Sequence, residues 1–190
     1  MKNFLTCCLI CISTFGFAQK KQVQPLPSIQ FYGIDFSQVN VIGSRETKDK
    51  FLTAFSGINQ LLINEAKKYD IGQTVKANIT QTSVEIANKG VADLANANFI
   101  NAPNKEINIS DMIKPYCGNG ETGLVIIAKE LNKTTNTGTF IYAFFNGETQ
   151  KITKQETISG KAKGFGLRNF WAGALYDSME SYAKMLKKIK

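Results

Sequence analysis

"LVIIAKELNKTTNTGTFIYAFFNGETQKITKQETIS", residues 124–159, decides how this chain folds. Its first five residues form an unbroken apolar run, the pattern of a strand covered on both faces. "TFIYAFF", residues 139–145, is a second such run, and the polar "LNKTTNTG" separates the two. Asn146-Gly147 predicts a tight hairpin, because both residues accept the positive φ that a twisted two-residue turn demands. The strand that follows is mostly Thr, Lys, Gln and Glu, the composition of an exposed edge guarded against pairing with other chains. Three consecutive antiparallel strands are therefore predicted.

Working outward, the period changes to helical. Trp171, Leu175, Met179, Tyr182 and Leu186 share one stripe, with Asp177, Glu180, Lys184 and Lys187 opposite. Upstream, "SIQFYGIDF" and "VNVIG" read as one or two strands ending near Gly43. Phe51, Phe55, Ile58 and Leu62 then mark a helix over 47–68, whose Lys67 and Lys68 suit the negative end of its dipole. Residues 70–121 are the least legible: a strand over 82–87, loop through "ANKGVADLANANFINAPNKE", and a short helix capped by Ser110 and stopped by Pro115. The sum is an α+β fold: an antiparallel or mixed sheet with a C-terminal three-stranded meander and two long helices packed on one face.

The chain has 190 residues, a formal net charge of +8, no histidine and four cysteines. Lys2 precedes an apolar run over 4–17, and Gly16-Phe17-Ala18 places small residues before a cut, so residues 1–18 read as a secretory signal peptide. The run is shorter than the roughly 20 residues of a membrane span. Residues 19–27 then form a flexible lead and 28–190 a single α+β domain, located in the periplasm or outside the cell. Cys7, Cys8 and Cys11 fall in the leader, behind Thr6, Cys7 and Ile10, which do not suit a lipid-modified cysteine, so no lipid anchor is expected. Cys117 alone remains in the mature part; an intramolecular disulfide is excluded, and burial of this small hydrophobe is expected.

Without histidine, the commonest general base and zinc ligand is missing, which excludes serine-histidine and cysteine-histidine hydrolases. The aspartates are scattered and none begins a calcium loop, so neither metal nor cofactor is expected. Ser181 and Lys184 match Ser-x-x-Lys but lack the companion motifs of the penicillin-binding enzymes. Asp35 stands in the apolar "GIDF", where a carboxylate is expensive to bury; the simplest account is an exposed strand end or the start of a turn.

"SGKAKGFGLRNFWAGALYDSM", residues 159–179, allows two readings. In one, Lys161, Lys163, Gly164, Gly166 and Arg168 hold an anion or a partner at the start of a helix. In the other, Gly160, Gly164 and Gly166 allow a tight crossing from strand to helix while Phe165, Phe170 and Trp171 plug the core. The spacing fits neither a phosphate loop nor a dinucleotide fingerprint, which favours the second reading.

The block from "GLVIIAKELNKTTNTG" through "SGKAKGFGLRNFWA", with "QFYGIDFSQVNVIG" upstream, resembles an exported protein family of Bacteroidetes-type bacteria, a domain of unknown function. A more distant likeness, in architecture only, is to small envelope-assembly α+β domains. These resemblances imply export and an α+β fold and transfer no functional residue. The expectation is a non-catalytic exported domain that binds an envelope protein or an anionic envelope component, with Lys161, Lys163, Gly164, Gly166, Arg168 and Asp35 as candidate contacts. The alternative is an enzyme or small-ligand carrier with an anion-binding glycine-rich loop at 160–168. Nucleic acid is not expected as a partner of an exported chain.

Overall fold

Past residue 31 the first strand has no strand partner on its outer side among the described residues, and a side chain takes over that role. Asn59, fully buried, accepts a hydrogen bond from the backbone N–H of Ile34 at 2.8 Å and donates one to the Ile34 carbonyl at 3.0 Å. Its amide also donates to Asn88 Oδ1 at 3.0 Å. A buried backbone pair without partners is costly, so one asparagine stands in for a residue of a missing strand.

The computed structural model describes residues 27–103, 106–118 and 120–188. The signal-peptide reading of 1–18, the lead residues 19–26 and Cys7, Cys8 and Cys11 lie outside the described residues. In chain order the elements are β1 (Ser28–Asp35), β2 (Asn40–Ile42), α1 (Lys48–Asn64), α2 (Ile71–Val75), β3 (Asn78–Thr82) and α3 (Glu85–Asp93). There follow α4 (Ile109–Ile113), β4 (Thr122–Asn132), β5 (Thr137–Asn146), β6 (Lys151–Lys161) and α5 (Leu167–Lys188). The six strands form one open mixed sheet in the order β3-β1-β4-β5-β6, with β2 pairing β4 beyond the end of β1. β1 pairs β3 and β4 in parallel, β2 pairs β4 in parallel, and the meander is antiparallel.

β4 is central, which explains its continuous apolar run. Leu124, Ile126 and Ala128 enter one core and Val125 and Ile127 the other. In β5, Phe140, Tyr142 and Phe144 face the first core, and Ile141, Ala143 and Phe145 the second. The larger core is closed by Phe51, Phe55, Ile58 and Leu62 of α1 and by Trp171, Leu175, Met179 and Tyr182 of α5, so the two long helices share one face. Met112, Ile113 and Tyr116 cover the opposite face. β6 is the exposed edge, as its composition predicts.

Several local expectations are corrected. The 82–87 strand is not formed: β3 ends at Thr82, and Glu85–Asp93 is α3, extended by a 3₁₀ turn over Leu94–Asn96. Val84, Ala87, Val91 and Leu94 are buried at helical spacing, and that burial overrides the β-like alternation of Val84 and Ile86. Gly90, which reads as a loop signal, is a helical residue in close approach to Ser37, where a Cβ would come within 3.2 Å. The short helix α4 is capped by Asn108, whose Oδ1 accepts from the Asp111 N–H at 3.3 Å; Ser110 lies inside it. Pro115 does follow the end of the α-helix, which closes at Ile113, and itself sits in the 3₁₀ turn Lys114–Tyr116. Helix α1 ends at Asn64, so Lys67 and Lys68 lie beyond its last turn.

The meander's second hairpin is present, but with a different tip. Gly147 does not have positive φ; Gln150 does, at 55°. Asn146 Oδ1 accepts from the N–H groups of Glu148 and Thr149 at 3.0 and 2.8 Å, and the Asn146 carbonyl accepts from Gln150 N–H at 3.0 Å. The first hairpin repeats the device: Asn132 Oδ1 accepts from Thr134 and Thr135, and Asn136 takes φ 52°. Gly147 is needed for another reason, since its N–H donates to the Glu121 carbonyl at 2.9 Å and a Cβ would crowd that oxygen.

Candidate functional site

The crossing from β6 to α5 is built by glycines that bring backbone against backbone. A Cβ on Gly160 would fall on the carbonyl oxygen of Ala174, and one on Gly173 would fall on the carbonyl oxygen of Lys163. These two contacts lay the end of β6 along the first turns of α5. The Lys161 N–H then donates to Asp177 Oδ2 at 2.8 Å, and the Ala162 N–H to the Asn136 carbonyl at 2.8 Å, which joins the loop to the tip of the first hairpin. On the far side the Phe170 N–H donates to the Gly166 carbonyl at 2.9 Å and opens the helix.

Between these anchors the chain turns outward. Gly164 and Gly166 have φ of 126° and 78°, conformations that favour glycine. They flank Phe165, which is 96% exposed. The expectation that Phe165, Phe170 and Trp171 all plug the core is therefore corrected: Trp171 is 1% exposed, Phe170 is half-buried, and Phe165 points away from the protein. The glycine-permitted crossing itself holds, through the close approach at Gly160 and the positive φ of Gly164 and Gly166; Gly173, which the sequence reading did not include, makes the second close approach.

Cations flank Phe165 along the chain. Lys161, Lys163 and Arg168 are exposed, and no acidic residue lies between Glu156 and Asp177. Lys133, from the adjoining hairpin tip, places Nζ 3.5 Å from the ring centre of Phe170. The Arg168 Nε–H donates to Asn169 Oδ1 at 3.1 Å, and its aliphatic stem lies over Gly57. Arg168 also lines a groove of about 630 Å³ with Glu46, Asp49, Lys50 and Thr53, in which Lys50 pairs with Glu46 at 2.7 Å.

Asp35 is not part of this arrangement. β4 and β5 lie between β1 and β6 in the sheet, which separates it from the loop. Nor is it an exposed strand end: it is 5% exposed, with Oδ1 accepting from the Ser37 N–H at 2.8 Å and Oδ2 from the Tyr116 hydroxyl at 2.8 Å. It does start a turn, as one expectation had it, yet its second oxygen ties β1 to the segment covering the smaller core. Burial, and then the Asp35 charge, push the Tyr116 hydroxyl far above the ordinary tyrosine value, so it stays a donor. Cys117 is half-buried, its thiol donating to the Ile113 carbonyl at 3.3 Å, and burial raises its pKa, which makes it a poor nucleophile.

A cleft that sequence reasoning missed opens where β1 leaves β4 and β2 rejoins it. It measures about 580 Å³ and is lined by Ser37, Asn40, Phe99, Lys129 and Glu130 among others. A register shift at Lys129, between Ala128 and Glu130 in the pairing of β4 with β5, lies at this cleft, opposite the 36–39 excursion. Nothing local in the sequence announces it, because its walls come from three distant segments. Among the described residues no group of three or more Cys, Asp or Glu is placed to hold a metal ion, and no helix is long and apolar enough to cross a membrane. Compared with known proteins, the chain matches no protein-family model and no curated sequence.

Proposed function

We infer that this chain is an exported, non-catalytic binding domain whose contact surface is the 160–168 loop. The single observation behind this reading is Phe165: a phenyl ring 96% exposed, presented between two positive-φ glycines on a loop anchored at both ends. A protein ordinarily turns such a ring inward, and exposing it to water is unfavourable by about 2 kcal/mol unless something covers it. The flanking cations Lys161, Lys163 and Arg168 favour an acidic or anionic counterpart. Export rests on the leader-like residues 1–18 and on the resemblance to exported bacterial proteins, and Asp35, bonded to Tyr116 and Ser37, is taken up by the fold rather than offered to a substrate.

Site-specific photo-crosslinking tests the reading. A photoreactive group replacing Phe165 is expected to form adducts in envelope fractions, while the same group replacing Gln81, exposed on the opposite edge strand β3, forms none. Equal labelling from both positions, or none from Phe165, would refute it. The rival small-ligand carrier is supported by the 580 Å³ cleft beside Lys129 rather than by the loop. It predicts that a ligand raising the melting temperature loses its effect in Lys129→Ala.

A further inference from the structure

We propose that the occupant of the 160–168 surface is the headgroup layer of an anionic lipid bilayer, with Phe165 as the inserted wedge. This rests on the reading of that loop as the contact surface and names what it contacts. Three observations select a bilayer over a folded protein partner.

The first is shape. Phe165 is 96% exposed between two glycines, while Leu167 and Phe170 are partly buried, so among the described residues it is the one large apolar side chain that this loop exposes. Protein interfaces centre on a broad, closely packed apolar area, whereas a single protruding aromatic is enough to enter the boundary between headgroups and acyl chains. The second is charge. Lys161 and Lys163 are exposed and unpaired by any acid among the described residues; Lys161 ends β6 and Lys163 lies two residues past it, next to the tip. Diffuse phosphate headgroups suit such point charges, while no fixed bidentate geometry is offered to a particular carboxylate. Arg168 is the exception: it shares its groove with Glu46 and Asp49, so most of the attraction comes from the two lysines.

The third is placement. The hairpin tip at 133–136, the end of β6 and the start of α5 meet at one end of the sheet, joined by the Ala162 to Asn136 hydrogen bond. Lys133 stands on that hairpin tip, with its Nζ over the half-buried Phe170 ring. Lys133, Lys161, Lys163 and Phe165 are thus all carried by segments that meet at this end of the sheet. The wedge is also held stiffly, because Ala162 and Phe170 are both fixed by backbone hydrogen bonds.

The test is partition of the purified, exported chain onto vesicles of phosphatidylcholine alone and of phosphatidylcholine with about a third phosphatidylglycerol, read by co-sedimentation at low and high salt. Binding to the anionic vesicles and not to the neutral ones is expected, weakening as salt rises. Lys161→Ala and Lys163→Ala should each weaken it about fivefold, and Phe165→Ala about tenfold or more. In Phe165→Trp the added indole should shift its emission to the blue on anionic vesicles and be quenched by acyl-brominated lipid. All these variants share one N-terminus, so differences among them read the loop itself. Equal partition to both vesicle types, or no loss in Phe165→Ala, overturns the proposal. If that happens while the crosslinker at position 165 still labels a protein, the contact-surface reading survives without the lipid; if position 165 labels nothing, both fall.

Discussion

At Gly160 a hydrogen atom stands where every other residue carries carbon, and the backbone of α5 occupies the space. Gly160→Ala must push the edge strand off the helix, an overpacking of backbone against backbone that should cost about 2–3 kcal/mol in denaturant unfolding. Asn59→Ala leaves the N–H and carbonyl of Ile34 buried without partners, and a loss of about 3 kcal/mol is expected from the same measurement. Phe165→Ala is the contrasting case. Because the ring touches solvent rather than core, its removal should change stability by less than about 0.5 kcal/mol, whereas a core phenylalanine would cost several. Trp171, six residues further on, was legible as buried from its stripe with Leu175 and Met179. Phe165 was not, since it lies outside any periodic run and only the direction of two glycine φ angles turns it outward.

At the level of elements, the two hairpins of the meander share one tip design, an asparagine side chain bonded to the next turn's N–H groups and a left-handed residue four positions on. In the second hairpin that residue is Gln150, which has a Cβ and pays a steric cost for φ 55°. Gln150→Gly is therefore expected to stabilise the protein by about 0.5–1 kcal/mol in thermal or denaturant unfolding. Asn136→Gly should gain less, because asparagine tolerates that conformation. The hairpins were legible from their apolar strands and their position, but not the turn type, because Asn-Gly suits both a two-residue turn and the start of a longer one. Helix α3 was misread for a related reason: Val84-Glu85-Ile86 alternates like a strand, and only its packing against β1 and α1 selects the helix.

For the whole molecule, the tyrosines predict how it fails in alkali. Tyr32, Tyr116, Tyr142 and Tyr182 all hold their protons above the ordinary tyrosine value, with burial the largest cause in each. An unfolded chain releases such protons near pH 10. The folded state keeps them, so above that pH it binds more protons than the unfolded state and stability falls as pH rises; below it, these groups add no pH dependence. The slope should reach about 1.4 kcal/mol per pH unit for each of Tyr116 and Tyr142. Denaturant midpoints taken from neutral to strongly alkaline pH should show the decline, and Tyr142→Phe should flatten it. That variant leaves the Ser178 hydroxyl donating to the Leu175 carbonyl, so its cost at neutral pH is small.

The amino-acid sequence by itself determined the strands of the meander, the two long helices and the face each buries, because hydrophobic period is a local property that neighbouring residues express together. The exposed edge of β6 was equally local. Only the tertiary structure decided which acid is buried and which aromatic is not. Asp35 goes inward because Tyr116, 81 residues away, supplies its donor. Phe165 goes outward because Gly164 and Gly166 take positive φ on either side of it, where Gly160 and Gly173 have brought the preceding segment against α5. Both outcomes depend on what lies across a contact, and no spacing along the chain records that.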